Sequence, residues 1–252
     1  QRNGEKYEIR FNDISFSSRD LAGSVTGVYQ SVPDSHGLID LTAVATRADA
    51  HGLTRYVPLQ VGERVRTWLD TAFPGGMTND IKVRLKGNLN DFPFPEGKGG
   101  LLQVTARVTN GVLEYANGWP RVENMEGEVT FRGRRLDVLM REASVLGAKL
   151  ARVHAEIPDL GTPDRVLTIN GEAEGATSEF LNFIARSPVL DAIDHFTENM
   201  RAEGRGRLAL KLAIPLANPR DTKFAGTFQL QNNRVEVEDL FFPAEQTTGR
   251  LE

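Results

Sequence analysis

Ile81-Lys82-Val83-Arg84-Leu85-Lys86-Gly87-Asn88-Leu89 decides the fold class. Its odd positions are apolar or glycine and its even positions charged or polar, the period-two pattern of a strand with one dry and one wet face. The alternation returns over 204–214, where Leu208, Leu210, Leu212 and Ile214 share a face and Arg205, Arg207 and Lys211 take the other. Weaker copies occupy 7–16, 38–46, 102–108, 129–140, 151–157, 166–173 and 224–230. About fourteen strands can be drawn, many of them short. Asn110-Gly111 predicts a two-residue hairpin, since both central positions of a type I′ turn need positive φ. Asn117-Gly118, Gly133-Arg134 and Gly147-Ala148 punctuate the next strands. A meander so closely spaced predicts an antiparallel sheet.

Helical spacing interrupts the strands twice. Over 62–73, Val65, Trp68, Leu69, Ala72 and Phe73 fall at i, i+3, i+4, i+7 and i+8, one face of a helix. Over 177–200 two short helices are predicted, split at Ser187-Pro188. Sliding the chain against itself by about 122 to 130 residues aligns strand, short helix, proline (Pro58 or Pro188), second helix, glycine turn (Gly75-Gly76 or 204–206) and alternating strand. The expected organisation is therefore two β-rich units, 1–125 with a helical pair near 51–73 and 126–252 with one near 177–200, in one continuous sheet. Because the chain starts and stops inside this pattern, it is expected to be a piece of a longer protein.

Composition bounds the function. The 252 residues carry a formal charge of −4 and no cysteine, which excludes disulfide frameworks and thiolate chemistry and gives no footprint for nucleic acid. No phosphate loop, nucleophile elbow or metal-ligand spacing is present. His36, His51, His154 and His195 lie far apart in sequence, and Asp191 and Asp194 read as a solvated helix face. No cofactor, no metal, no catalytic residue and no enzymatic activity are expected. Strand cations such as Arg10, Lys82, Arg84, Lys86 and Arg107 belong to the wet face.

Fourteen strands about 4.8 Å apart would extend nearly 70 Å, and open sheets rarely pass about ten strands without curling or splitting. The expected fold is mostly β: an elongated, curled antiparallel sheet, groove or tube, with two short amphipathic helical insertions. Too few helices exist to cover the dry face, which must close on itself or remain a groove.

Two strings are more particular than this pattern: 87–95 (Gly-Asn-Leu-Asn-Asp-Phe-Pro-Phe-Pro) and 112–120 (Val-Leu-Glu-Tyr-Ala-Asn-Gly-Trp-Pro). With Ala155-Glu156-Ile157-Pro158-Asp159-Leu160, Arg186-Ser187-Pro188-Val189-Leu190 and Leu212-Ala213-Ile214-Pro215-Leu216, they resemble the central region of the YhdP family, AsmA-like envelope proteins of Gram-negative bacteria related in architecture to TamB. The resemblance runs from about Phe11 to the end. It implies a long periplasmic β-structure on an inner-membrane anchor, enclosing a hydrophobic channel that moves phospholipid between the inner and outer membranes.

Ile81, Val83, Leu85, Leu89, Leu102, Val104, Val108, Leu208, Leu210, Leu212, Ile214, Phe224, Phe228 and Leu230 are the expected groove lining. Trp68, Phe73, Phe183 and Phe196 are expected to turn their helices toward the sheet. The partners implied are phospholipid acyl chains, neighbouring segments of the parent chain and other envelope proteins. A sealed sandwich core, serving a structural or assembly role, would show the same alternation along each strand.

Overall fold

The computed structural model describes residues 6–56, 62–78, 80–237 and 244–251; Pro58 of the aligned proline pair lies outside them. The strands are β1 (Glu8–Ser17), β2 (Leu21–Gln30), β3 (Leu38–Asp49), β4 (Gly75–Thr78), β5 (Ile81–Asn88), β6 (Gly100–Leu113), β7 (Val122–Arg132), β8 (Arg135–Val145), β9 (Ala148–Ile157), β10 (Val166–Ala176), β11 (Met200–Pro215), β12 (Lys223–Val237) and β13 (Ala244–Leu251). All thirteen form one antiparallel sheet in chain order, with β4 and β5 sharing the position between β3 and β6. Among the described residues β1 pairs only with β2 and β13 only with β12, so the sheet is open and not a closed barrel.

Local chemistry sets the connections. Gly133-Arg134 joins the Arg132↔Arg135 pair, and Leu146-Gly147 joins Val145↔Ala148 with both residues at positive φ, as a tight hairpin requires. Asn110-Gly111 does not form the expected hairpin. β6 runs straight through it, and the register slips between Val108 and Gly111. Asn110 sits at φ 50° and donates its N–H to the Glu126 carboxylate at 2.9 Å. The left-handed preference of asparagine that suits a hairpin also suits a β-bulge. Gly75-Gly76 and residues 204–206, read as turns, likewise lie inside β4 and β11, with Gly204 at φ 107° absorbing a bulge.

Helix α1 (Glu63–Ala72) follows a 3-10 turn at Ala50–Tyr56; α2 (Thr177–Ala185) and the single turn α3 (Val189–Ala192) follow β10. The second predicted helix of the 177–200 stretch is thus cut short, because Asp194 and His195 take positive φ. All three helices, and the 114–121 loop between β6 and β7, lie at one rim of the sheet. The opposite rim carries the 89–99 loop. There Phe94 is buried to 1% exposure, its ring seated over Gly87 and Gly100, where a Cβ would come within 2.9 Å and 2.6 Å of it.

On the wet face, ion pairs link neighbouring strands. Asp40 accepts from Arg84 and lies 3.2 Å from Lys86, and the Arg84 hydrogen bond in particular holds its carboxyl below the ordinary value. Arg207 pairs with Glu174, and Arg152 with Glu172.

A continuous dry face as the candidate functional site

The register assembles the dry residues of successive strands into rows. Phe16, Gly23, Ala45, Ile81, Ala106, Val129, Val138, Ala155, Ile169, Leu212 and Phe224 are consecutive cross-strand partners on eleven strands. No charged or polar side chain interrupts them. A second row joins Ile14, Val25, Ala43, Val83, Val104, Phe131, Leu136 and Ile157. Shorter rows hold Leu41, Leu85 and Leu102, then Ala173, Leu208 and Phe228. Leu210 lies between Gly171 and Gly226, Ile214 faces Leu167, Val108 faces Gly127, and Leu230 faces Gly206. Such rows run across the strands, along the long axis of the sheet.

Thirteen of the fourteen expected lining residues therefore sit on strands. The exception is Leu89, expected as the last dry position of its strand. β5 ends at Asn88, and Leu89 opens a 3-10 turn with its N–H on Gly37 O at 2.9 Å.

The dry face is not sealed. Apart from Phe224, 79% exposed, every one of the fourteen is half-buried. The buried apolar residues are Ala45, Ala48, Ala72, Phe94, Met140, Ala143, Val145, Ala148, Ile157, Ala173 and Ala202. Seven of these are alanines and none is leucine, whereas a closed core of this size would hide its large side chains first. The accessible surface agrees: 16804 Å², against about 11,000 Å² for a compact monomer of this mass.

The helical rim departs from expectation in detail. Trp68 lies edge-on to Phe73, with centroids 5.9 Å apart, and its indole N–H donates to Tyr115 O at 3.0 Å. It therefore packs on the 114–121 loop. The Phe183 ring lies 6.1 Å from Trp119 of that loop. Phe196 follows the truncated helix and is 71% exposed; without helical geometry its apolar spacing no longer selects a face. An aromatic side chain that does meet the sheet is Phe180, T-shaped on Phe228 at 5.0 Å. Sequence reasoning missed it because the apolar face of α2 carries Phe180, Leu181, Phe183 and Ile184 together, opposite Ser178, Glu179 and Asn182, so periodicity marks that face without choosing between Phe180 and Phe183.

Cross-strand pairing also gathers Asp137, His154 and Glu156 within 4.8 Å on the wet face, a grouping that a spacing search along the chain does not see. Arg135 bridges the two carboxylates and, chiefly by its hydrogen bond, holds Asp137 below the ordinary carboxylate value, with His154 3.4 Å away adding to it. The positive charge between these carboxylates is thus already supplied by the protein.

Two cavities lie at the rims. One of about 480 Å³ is lined by Trp68, Glu114, Tyr115, Trp119 and Arg121 among others; the other, of about 400 Å³, lies beside Asp91, Phe92, Lys98 and Arg134.

No solved structure matches the chain. Among curated proteins it is similar to the "Intermembrane phospholipid transporter YhdP" of Escherichia coli (strain K12), 22% identical over 198 residues. The match covers 78% of this chain and 15% of that protein, so the chain spans a small part of its relative's length. The family model described as "YhdP protein" matches residues 1–252, and with an open sheet whose apolar rows cross eleven strands, the chain belongs to the YhdP family.

Proposed function

We propose that this chain is a segment of a non-enzymatic conduit that carries phospholipid acyl chains between two membranes along the dry face of its sheet. The observation carrying the proposal is the eleven-strand apolar row, in which only Ala45 is buried and every other member stays at least partly open to solvent. Burial stabilises an acyl chain by about 0.8 kcal/mol per CH₂, so a diacyl lipid needs cover to cross water. A uniform apolar track supplies that cover without a specific site at which the tail would stall. The similarity to an intermembrane phospholipid transporter supports the cargo. On this reading the chain sits in the periplasm, its parent is anchored in the inner membrane, and neighbouring segments of the parent and other envelope proteins are its protein partners. Its two halves, 1–125 and 126–252, are units of one repeat that lengthens the sheet.

Native mass spectrometry of the purified chain, together with photo-crosslinking from positions 83 and 210, tests the reading. Phospholipid should be retained and crosslinked through its tails. Leu210→Asp should lower the retained lipid about tenfold or more, since a charge set among tails loses more than two CH₂ contacts are worth. Lys211→Glu, on the wet face, should leave it unchanged. Absence of acyl crosslinks from both positions in a folded chain would instead favour a structural module.

A further inference from the structure

The 114–121 loop is pinned at the helical rim by the Glu114 N–H on Ala72 O at 2.8 Å and by the Trp68 indole on Tyr115 O at 3.0 Å. Beneath it lies the cavity of about 480 Å³. Three aromatic residues, Trp68, Tyr115 and Trp119, contribute to its wall, with the Tyr115 and Trp119 rings 5.9 Å apart and tilted by 47°. Glu114 adds a carboxylate, and Arg121 a guanidinium that is already paired with Glu123 at 2.6 Å. Counting that pair as neutral, the wall keeps one negative charge. Aromatic faces with a carboxylate beside them are the chemistry that holds an alkylammonium ion, by cation–π attraction and charge. Burial pushes the half-buried Tyr115 hydroxyl up to about 12, so the phenol stays neutral and leaves Glu114 as the charge that a cation meets there.

The cavity also stands next to the groove. Trp119 touches Phe183 of α2, and Phe180 of the same helix rests on Phe228 of the dry face. An amphiphile with its tails on that face must leave its headgroup where the strands end. We infer that the 114–121 cavity receives the amino headgroup of a zwitterionic phospholipid of the ethanolamine class, with the ammonium against Trp68, Tyr115, Trp119 and Glu114 and the phosphate toward Arg121. The inference rests on the groove reading and adds headgroup preference to it.

Trp68 and Trp119 are the chain's two tryptophans, and both line the cavity, so intrinsic fluorescence reports on it directly. The chain is titrated with dihexanoylphosphatidylethanolamine, dihexanoylphosphatidylglycerol and O-phosphoethanolamine, and total lipid capture is followed by native mass spectrometry. The ethanolamine lipid should give a saturable change with a roughly five- to tenfold lower Kd than the glycerol lipid, the size of one cation–π and charge contact. O-Phosphoethanolamine should act in the same direction but more weakly; if it binds as tightly as the lipid, the source is a free headgroup and a lipid site is overturned. Glu114→Gln, an exposed change that leaves packing alone, should abolish the preference while lipid capture stays intact. Trp119→Leu should do the same. Equal Kd for the two lipids, or a preference that survives Glu114→Gln, overturns the headgroup site while capture upholds the groove. Loss of all capture in the unaltered chain overturns the groove, on which the headgroup site rests.

Discussion

Asn110 and Asn232 are 122 positions apart, and both take φ near 50° at a bulge where the register slips. Each donates its N–H across to the next strand, Asn110 to the Glu126 carboxylate at 2.9 Å and Asn232 to the Thr248 hydroxyl at 3.5 Å. Beside the first bulge, Gly76, Gly111 and Ala50 meet in small-residue contact. Beside the second, Asn233 replaces the small residue and is fully buried; its carbonyl accepts from the Thr177 hydroxyl at 2.5 Å, and its amide donates to Arg205 O at 2.8 Å. This polar pair ties the first residue of α2 to the sheet. Thr177→Val should therefore destabilise the chain by about 1–3 kcal/mol, the cost of leaving one buried acceptor unsatisfied, as read by urea unfolding. Tyr115 gives a second residue-scale expectation. Burial disfavours its phenolate, so the folded pKa of about 12 lies above the unfolded value of about 10. The stabilisation is fully present below pH 10 and is lost as pH rises toward 12. Phenolate absorbance should show one tyrosine titrating late, and Tyr115→Phe should remove it.

At the scale of elements, α2 is held on the strands by a few side chains, among them Thr177 on Asn233 and Phe180 on Phe228. α2 has nine residues, too few to be stable alone, and the Phe180–Phe228 contact is its aromatic anchor on the sheet. Phe180→Ala should cost about 1–3 kcal/mol and speed amide exchange in Thr177–Ala185 while that of β8 and β9 is unchanged. The strand opposite is built for this ring: a Cβ at Gly206 would fall 2.2 Å from Phe228. Gly206→Val should therefore displace Phe228 and loosen α2 in the same exchange experiment. The alternation of β5 and β11 was legible because wet and dry residues differ at every step. Which aromatic of α2 meets the sheet was not, because Phe180 and Phe183 share one apolar face opposite Ser178, Glu179 and Asn182.

For the whole molecule, twelve strand positions at about 4.8 Å make a track of roughly 50 Å, long enough for more than one lipid in file. Strands β1 and β13 each keep one unpaired side among the described residues, so their amides should exchange faster than those of β8 and β9, which are paired on both sides. Added diacyl lipid should slow exchange on the dry-face strands together, from β3 to β11, because tails cover a row and not a pocket. Protection confined to one or two strands would contradict the track. The rows themselves were half visible beforehand: each strand announces its own dry face, but row continuity depends on register, which the bulges at Asn110, Asn124, Arg152 and Asn232 reset.

By itself the sequence determined most of the strands, the alternation along them, the approximate positions of the helical insertions and the family, because period two, helical spacing and the strings at 87–95 and 112–120 are local properties of the chain. Only the tertiary structure decided that Asn110-Gly111 continues a strand, that Phe180 and not Phe196 meets the sheet, that His154 stands beside Asp137, and that the dry face is left open. Closure was undecided for a physical reason. The same apolar residue fits a sealed core or a lipid track, and the difference lies in whether a second layer covers it. The thirteen strands form one sheet, and among the described residues the helices reach only its rim.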